Sequence, residues 1–132
     1  MKFITKIRRW TWELPQSLLG LILIPFYKSS FMRKELYKDQ WVYIYEKFPG
    51  GISLGNYQLV KYGRGMSTAI KHEYGHCIQS KYLGPLYLPI IGICSSLHNL
   101  NCRIKKAKKI AYNYYSFWTE KWADKLGEVK RK

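Results

Sequence analysis

The segment His72-Glu73-Tyr74-Gly75-His76 sets two imidazoles four residues apart, with a carboxylate beside the first. On a helix, residues four apart share a face, so both rings can reach one metal ion while Glu73 reaches a water next to it. Neutral imidazoles hold a divalent ion without cancelling its charge, and zinc held this way lowers the pKa of a bound water to roughly 7. A carboxylate at position 73 can take that water's proton and later return it to a leaving amine. The HExxH order of residue types is therefore suited to metal-assisted hydrolysis.

The element that must carry this motif is a helix over residues 66–83, a stretch without proline. Ser67 or Thr68 can cap its start, and Gly84-Pro85 reads as its stop. Ile70, Tyr74, Cys77 and Ile78 form an apolar stripe at helical spacing, offset from the histidine face. One side of the helix can then be buried while the other meets a cleft. Cys77 should point away from the metal.

A catalytic zinc usually takes three protein ligands and leaves a fourth position to water. The metzincin continuation fails here, because Gln79 stands where a glycine is needed and Tyr82 where a histidine is needed. His98 is the one histidine left, so carboxylates come next. Residues 116–127 read as a short helix capped by Ser116 and closed by Gly127, with Glu120 and Asp124 four apart on one face.

HExxH followed by this ExxxD pair resembles the gluzincin arrangement. The stretch from Lys71 to Gly127 is similar to small bacterial zinc metallopeptidases and, in scale, to the minigluzincins. The resemblance implies a zincin-like α+β fold, a small antiparallel sheet or hairpin packed on the HExxH helix, with Zn2+ as cofactor and a peptide or protein as substrate. It implies His72, His76 and Glu120 as zinc ligands, Glu73 as general base and acid, and Asp124 as the group orienting the first histidine. It also implies that an edge strand can hold an extended substrate by main-chain pairing. The chain departs from larger gluzincins in having no histidine matching their transition-state donor. Tyr114, Tyr115 and His98 are the candidates for that role, and at least one tyrosine reads as packing beside Phe117.

A length of 132 residues fits one domain with a modest core, much of it from 12 tyrosines, five tryptophans and five phenylalanines. Three cysteines without CxxC spacing argue for a reducing compartment or buried packing rather than a disulfide scaffold. The net charge of +15 favours anionic partners. The densest cationic run, residues 103–109, reads as the solvated face of a helix whose Ile104, Ala107 and Ala111 pack inward. No nucleic-acid-binding motif accompanies it.

Residues 1–30 combine Lys2, Lys6, Arg8 and Arg9 with Trp10, Trp12 and an apolar run from Leu18 to Ile24. No small-residue cleavage site follows the run, and it has about half of the roughly 20 apolar residues a spanning helix requires. Two readings stand. One is a helix at an anionic membrane interface; the other is a core helix beginning after Leu14 with Pro15 at its first position. The expected location is accordingly cytoplasmic or peripherally membrane-associated. Residues 40–48 are rich in β-formers, Pro49-Gly50-Gly51 marks a turn, and residues 52–61 can return as a second strand. Set against the hydrolase is a second class of function, a basic membrane-surface or scaffold protein whose zinc site is structural or idle.

Overall fold

The computed structural model describes residues 2–131 and is an α+β fold with five α-helices and one four-stranded sheet. The helices are α1 (Phe3–Arg9), α2 (Leu14–Leu23), α3 (Met66–Leu83), α4 (Ile93–Ala107) and α5 (Trp118–Leu126). The strands are β1 (Phe31–Tyr37), β2 (Gln40–Tyr45), β3 (Gly51–Leu54) and β4 (Tyr57–Lys61), in the sheet order β1-β2-β4-β3.

The sheet is mixed rather than antiparallel. Residues 40–48 and 52–61 do not pair as one hairpin. Gly55, at φ 59, and Asn56 turn the chain inside the expected second strand, so β3 and β4 become the hairpin. That places β4 parallel to β2, with Trp41 opposite Tyr57 and Tyr45 opposite Lys61. β1 is an additional strand, antiparallel to β2 through the Lys38-Asp39 turn. It carries almost no buried side chain and so has no alternating apolar pattern to announce it.

One face of the sheet packs against α3, where Val42, Ile44, Val60 and Ile70 form a cluster. Tyr45, Phe48 and Leu59 form a second cluster, against which Leu23, Ile24 and Tyr27 pack. The site helix is thus held on a preformed floor, and its exact ends are fixed by glycines rather than hydroxyl caps. Gly65 precedes the first turn with φ 81, and neither Ser67 nor Thr68 caps it. At the other end Gly84, at φ 55, lies under the Trp12 ring, where any side chain would collide. Trp12 Nε1 also donates to the Lys81 carbonyl at 3.0 Å, tying the α1–α2 corner to the end of α3.

α5 is shorter than its sequence span, because Ser116 sits in a preceding turn and donates to the Asn113 carbonyl instead of capping. Gly127 does close it. α4 also departs from expectation. Ile104, Ala107 and Ala111 are all exposed, and the buried residue of that helix is Cys102. Cys77 faces Arg9, its Sγ 3.1 Å from Nη2, away from the histidine face.

Candidate metal centre

α3 and α5 approach closely because two glycines let backbone meet backbone. A Cβ at Gly75 would overlap the Ala123 carbonyl, and one at Gly127 would overlap the Lys71 carbonyl. Gly75 stands three residues after His72 and one before His76; Ala123 stands three after Glu120 and one before Asp124. The Gly75–Ala123 contact therefore sets both carboxylates of α5 against both histidines of α3. Gly75→Ala should cost about 1–3 kcal/mol by overpacking, outweighing the roughly 1 kcal/mol that alanine gains over glycine in a helix. Thermal melts would show this as a Tm lowered on the order of 5–10 °C. Gly92→Ala, also in helical backbone but with the nearest heavy atom to the new Cβ 3.6 Å away, is the matched control and should melt at or above wild type.

The resulting group is compact and buried. His72 Nε2 and His76 Nε2 each lie 2.9 Å from Glu120 Oε2, and all three residues are less than a tenth exposed. The opposite ring nitrogens are also engaged. Asp124 Oδ1 lies 2.6 Å from His72 Nδ1, and Gln79 Oε1 lies 2.7 Å from His76 Nδ1. Both of these oxygens are acceptors, so each Nδ1 carries a proton and each Nε2 presents its lone pair to Glu120. Three acceptor atoms thus converge with nothing but each other to face. Such a convergence is stable only with positive charge at its centre, supplied by protons or by a metal ion. His72, His76 and Glu120 are the residues, among those described, that can hold that ion.

Supporting contacts fix the donors in place. Gln79 Nε2 donates to the Thr119 carbonyl at 2.9 Å, which orients its oxygen toward His76. Asp124 is gripped by Arg131, at 2.6 and 3.0 Å, and the same guanidinium lies 3.3 Å from the centre of the Tyr115 ring. Gln79 and Arg131 were not among the expected site residues. The three-residue spacing from His76 to Gln79 on one helix was the legible signal for the first; nothing local announced the second. Gln79→Ala should weaken metal affinity about 10–100-fold, measured by competition with a chromogenic chelator.

No family model, curated protein or solved structure matches this chain. The chemistry of the site is read from its own atoms.

Glu73 stands beside the metal group and lines a cleft of about 530 Å³ with His76, Glu120, Tyr87 and Tyr114. A Cβ at Gly51 would lie 3.0 Å from Glu73 Oε1, so strand β3 runs directly over this carboxyl. Burial raises the Glu73 pKa above the ordinary value, against the pull of His76 and His72. Of the three residues considered for the oxyanion, Tyr114 is the one that lines the cleft and hydrogen-bonds to the metal group. Tyr114 Oη donates to Glu120 Oε1 at 3.3 Å, and burial together with the Glu120 charge keeps its hydroxyl protonated at any ordinary pH. Tyr115 instead packs edge-on against His72, with ring centres 5.2 Å apart. His98 stacks on Phe117 at 4.2 Å and lies 2.7 Å from the Tyr114 carbonyl through Nε2, outside the cleft. It holds the loop that carries Tyr114.

In protein stripped of metal, protons must occupy the convergence. Burial alone would lower the His76 pKa, but the Glu120 hydrogen bond and the charges of Glu73 and Glu120 raise it from 6.5 to about 9. Burial would likewise raise Glu120, yet His72 and His76 hold it well below the usual carboxylate range. A raised histidine stabilises the fold fully below its unfolded value and loses that contribution as pH climbs through the folded one. The stripped protein should therefore lose stability between about pH 6.5 and 9, while the metal-loaded protein should not. Denaturant midpoints across that range, with and without zinc, would show the divergence.

Proposed function

We propose that the protein is a zinc-dependent peptidase of gluzincin type. The observation that carries this reading is the convergence of His72 Nε2, His76 Nε2 and Glu120 Oε2 beside a buried, cleft-facing Glu73. Two imidazoles and one carboxylate are the donor set of catalytic zinc in His₂Glu hydrolases, and both imidazoles have the partner on Nδ1 that such ligands need. Zinc bound there would make hydroxide available near neutral pH and polarise a substrate carbonyl.

This chain's residues supply the remainder. Glu73 takes the proton from the attacking water as its oxygen bonds to the carbonyl carbon. It then delivers that proton to the amide nitrogen as the C–N bond breaks, leaving a carboxylate and an amine. Tyr114 donates its hydroxyl hydrogen to the developing oxyanion, the task of the histidine that the chain lacks. Asp124 and Gln79 hold the two imidazoles at fixed orientation. β3 is the edge strand beside the cleft, and its exposed end at Gly51 offers main-chain groups to an extended peptide, while the Ser53 carbonyl further along accepts the Tyr87 hydroxyl at 2.8 Å.

The purified protein should carry about one equivalent of zinc. A fluorogenic peptide library should be cleaved by it, with chelation abolishing cleavage and zinc restoring it. Zinc at full occupancy without cleavage of any library member would favour the idle or structural zinc site.

A further inference from the structure

Three helices are folded with their apolar faces outward. α4 places Ile93, Leu97, Leu100 and Ile104 on one face at the i, i+4, i+7, i+11 spacing, and all four are exposed, Leu97 by 62%. Its inward side is polar, with Ser95 bonded to Thr119, His98 against Tyr114, and Cys102 buried. α2 repeats the inversion, burying Gln16, Ser17 and Gly20 while exposing Leu14, Leu18, Leu21 and Ile22. α1 does the same, with Thr5 and Arg9 inside and Phe3, Ile4 and Ile7 outside. A helix exposed to water ordinarily buries its apolar stripe, so three inversions in one small chain describe a surface made to be covered.

The faces of α2 and α4 meet at one cleft, and α1 joins them through the α1–α2 corner. Leu19 of α2 and Ile93 and Leu97 of α4 line the mouth of the same cleft. The α1–α2 corner is fastened beside it, where Trp12 covers Gly84 and Gln16 donates to the Gly84 carbonyl at 2.9 Å. Charge identifies the occupant. Between Glu73 and Glu120 the sequence has six cations and no acid, and Glu13, fully buried, is the one acid before Glu35. A second copy would bring +15 against +15. Nucleic acid would satisfy the cations but not the leucine and isoleucine stripes.

We infer that α1, α2 and α4 seat the protein on an anionic lipid surface, with leucines and isoleucines in the acyl boundary and lysines and arginines among the headgroups. No described helix is long and apolar enough to cross a membrane, which agrees with seating in the interface plane. The cleft mouth then opens at the lipid surface, so chains arriving along that surface reach the metal group first. This placement stands whether or not the site hydrolyses peptides.

Flotation of the full chain with vesicles tests it. Vesicles of equal parts phosphatidylcholine and phosphatidylglycerol should carry the protein up, and vesicles of phosphatidylcholine alone should do so at least about tenfold less. Raised salt should weaken the binding, since headgroup attraction is screened. Leu100→Ser combined with Ile104→Ser, neither of which lines the cleft, should weaken partitioning at least about tenfold while zinc content stays that of wild type. Lys105→Gln with Lys106→Gln should lower it on the order of tenfold by charge alone. No flotation with the anionic vesicles, equal flotation with neutral ones, or flotation untouched by both double variants would overturn the inference. A lipid-free dimer that Leu100→Ser with Ile104→Ser dissociates would assign the face to a second copy. Duplex DNA bound as tightly as the vesicles would assign it to nucleic acid.

Discussion

Glu73→Gln should leave zinc bound at wild-type stoichiometry and lower kcat about 10²–10⁴-fold, the usual contribution of a positioned acid–base group. The variant isolates proton transfer because Glu73 is not one of the three converging donors; it lines the cleft beside them. Glutamine has nearly the same shape, so the contact with β3 at Gly51 survives. It cannot accept the proton of an attacking water or return it to nitrogen. Stopped assays with a cleavable library peptide, paired with metal analysis of the same sample, separate the two quantities. Wild-type turnover in this variant would remove Glu73 from the chemistry and with it the peptidase reading.

Much of the centre was legible because helical geometry is short-ranged. His72 and His76, and Glu120 and Asp124, are each one helical turn apart, so each pair's shared face followed from the sequence before any tertiary contact was known. That α5 lies against α3 at the required register depends on Gly75 and Gly127 meeting carbonyls on the opposite helix. Nothing in a single glycine states that a partner backbone comes so near. Strand pairing was harder to read for a related reason. The parallel contact of β2 with β4 joins residues with β3 between them in sequence, and the Gly55-Asn56 turn inside the expected second strand redirected the chain. β1 had no buried alternation to betray it.

The amphipathic helices show a different failure. Periodicity gave the helix around residues 103–109 an apolar side of Ile104, Ala107 and Ala111, but periodicity carries no sign: it does not tell which face meets the protein. The ordinary assumption sent Ile104 inward, whereas the interior of α4 is occupied by Ser95, His98 and Cys102, side chains committed to holding α5 and the Tyr114 loop. Of the two readings of the amino-terminal segment, the core-helix one expected a start after Leu14; α2 begins one residue earlier, at Leu14, with Pro15 in its first turn. Its leucines lie exposed, which leaves the apolar face that the interfacial reading requires. The two were never exclusive, since a helix can dock by a polar side and leave the apolar one outward.

Glu120→Ala and Glu120→Gln should both abolish stoichiometric zinc, and they should part company in stability. With alanine the two imidazoles lose the carboxylate that raises their pKa values, and burial then favours their neutral forms. A pocket remains where the side chain of a residue 1% exposed had been. Loss of one partner from a buried hydrogen-bonded charge cluster costs about 3–5 kcal/mol, so the alanine variant should melt well below metal-free wild type at pH 6. Glutamine keeps the volume and places an amide donor where wild type has three acceptors facing one another. One N–H can satisfy a histidine Nε2 that in stripped wild type requires a proton from solvent. Above pH 9, where His76 sheds that proton, stripped Glu120→Gln should therefore equal or exceed stripped wild type in Tm, reversing their order at pH 6. If the glutamine variant kept zinc at full occupancy, Glu120 would not be the third ligand. If the order of melting temperatures failed to cross, the convergence of acceptors would not be what the metal relieves.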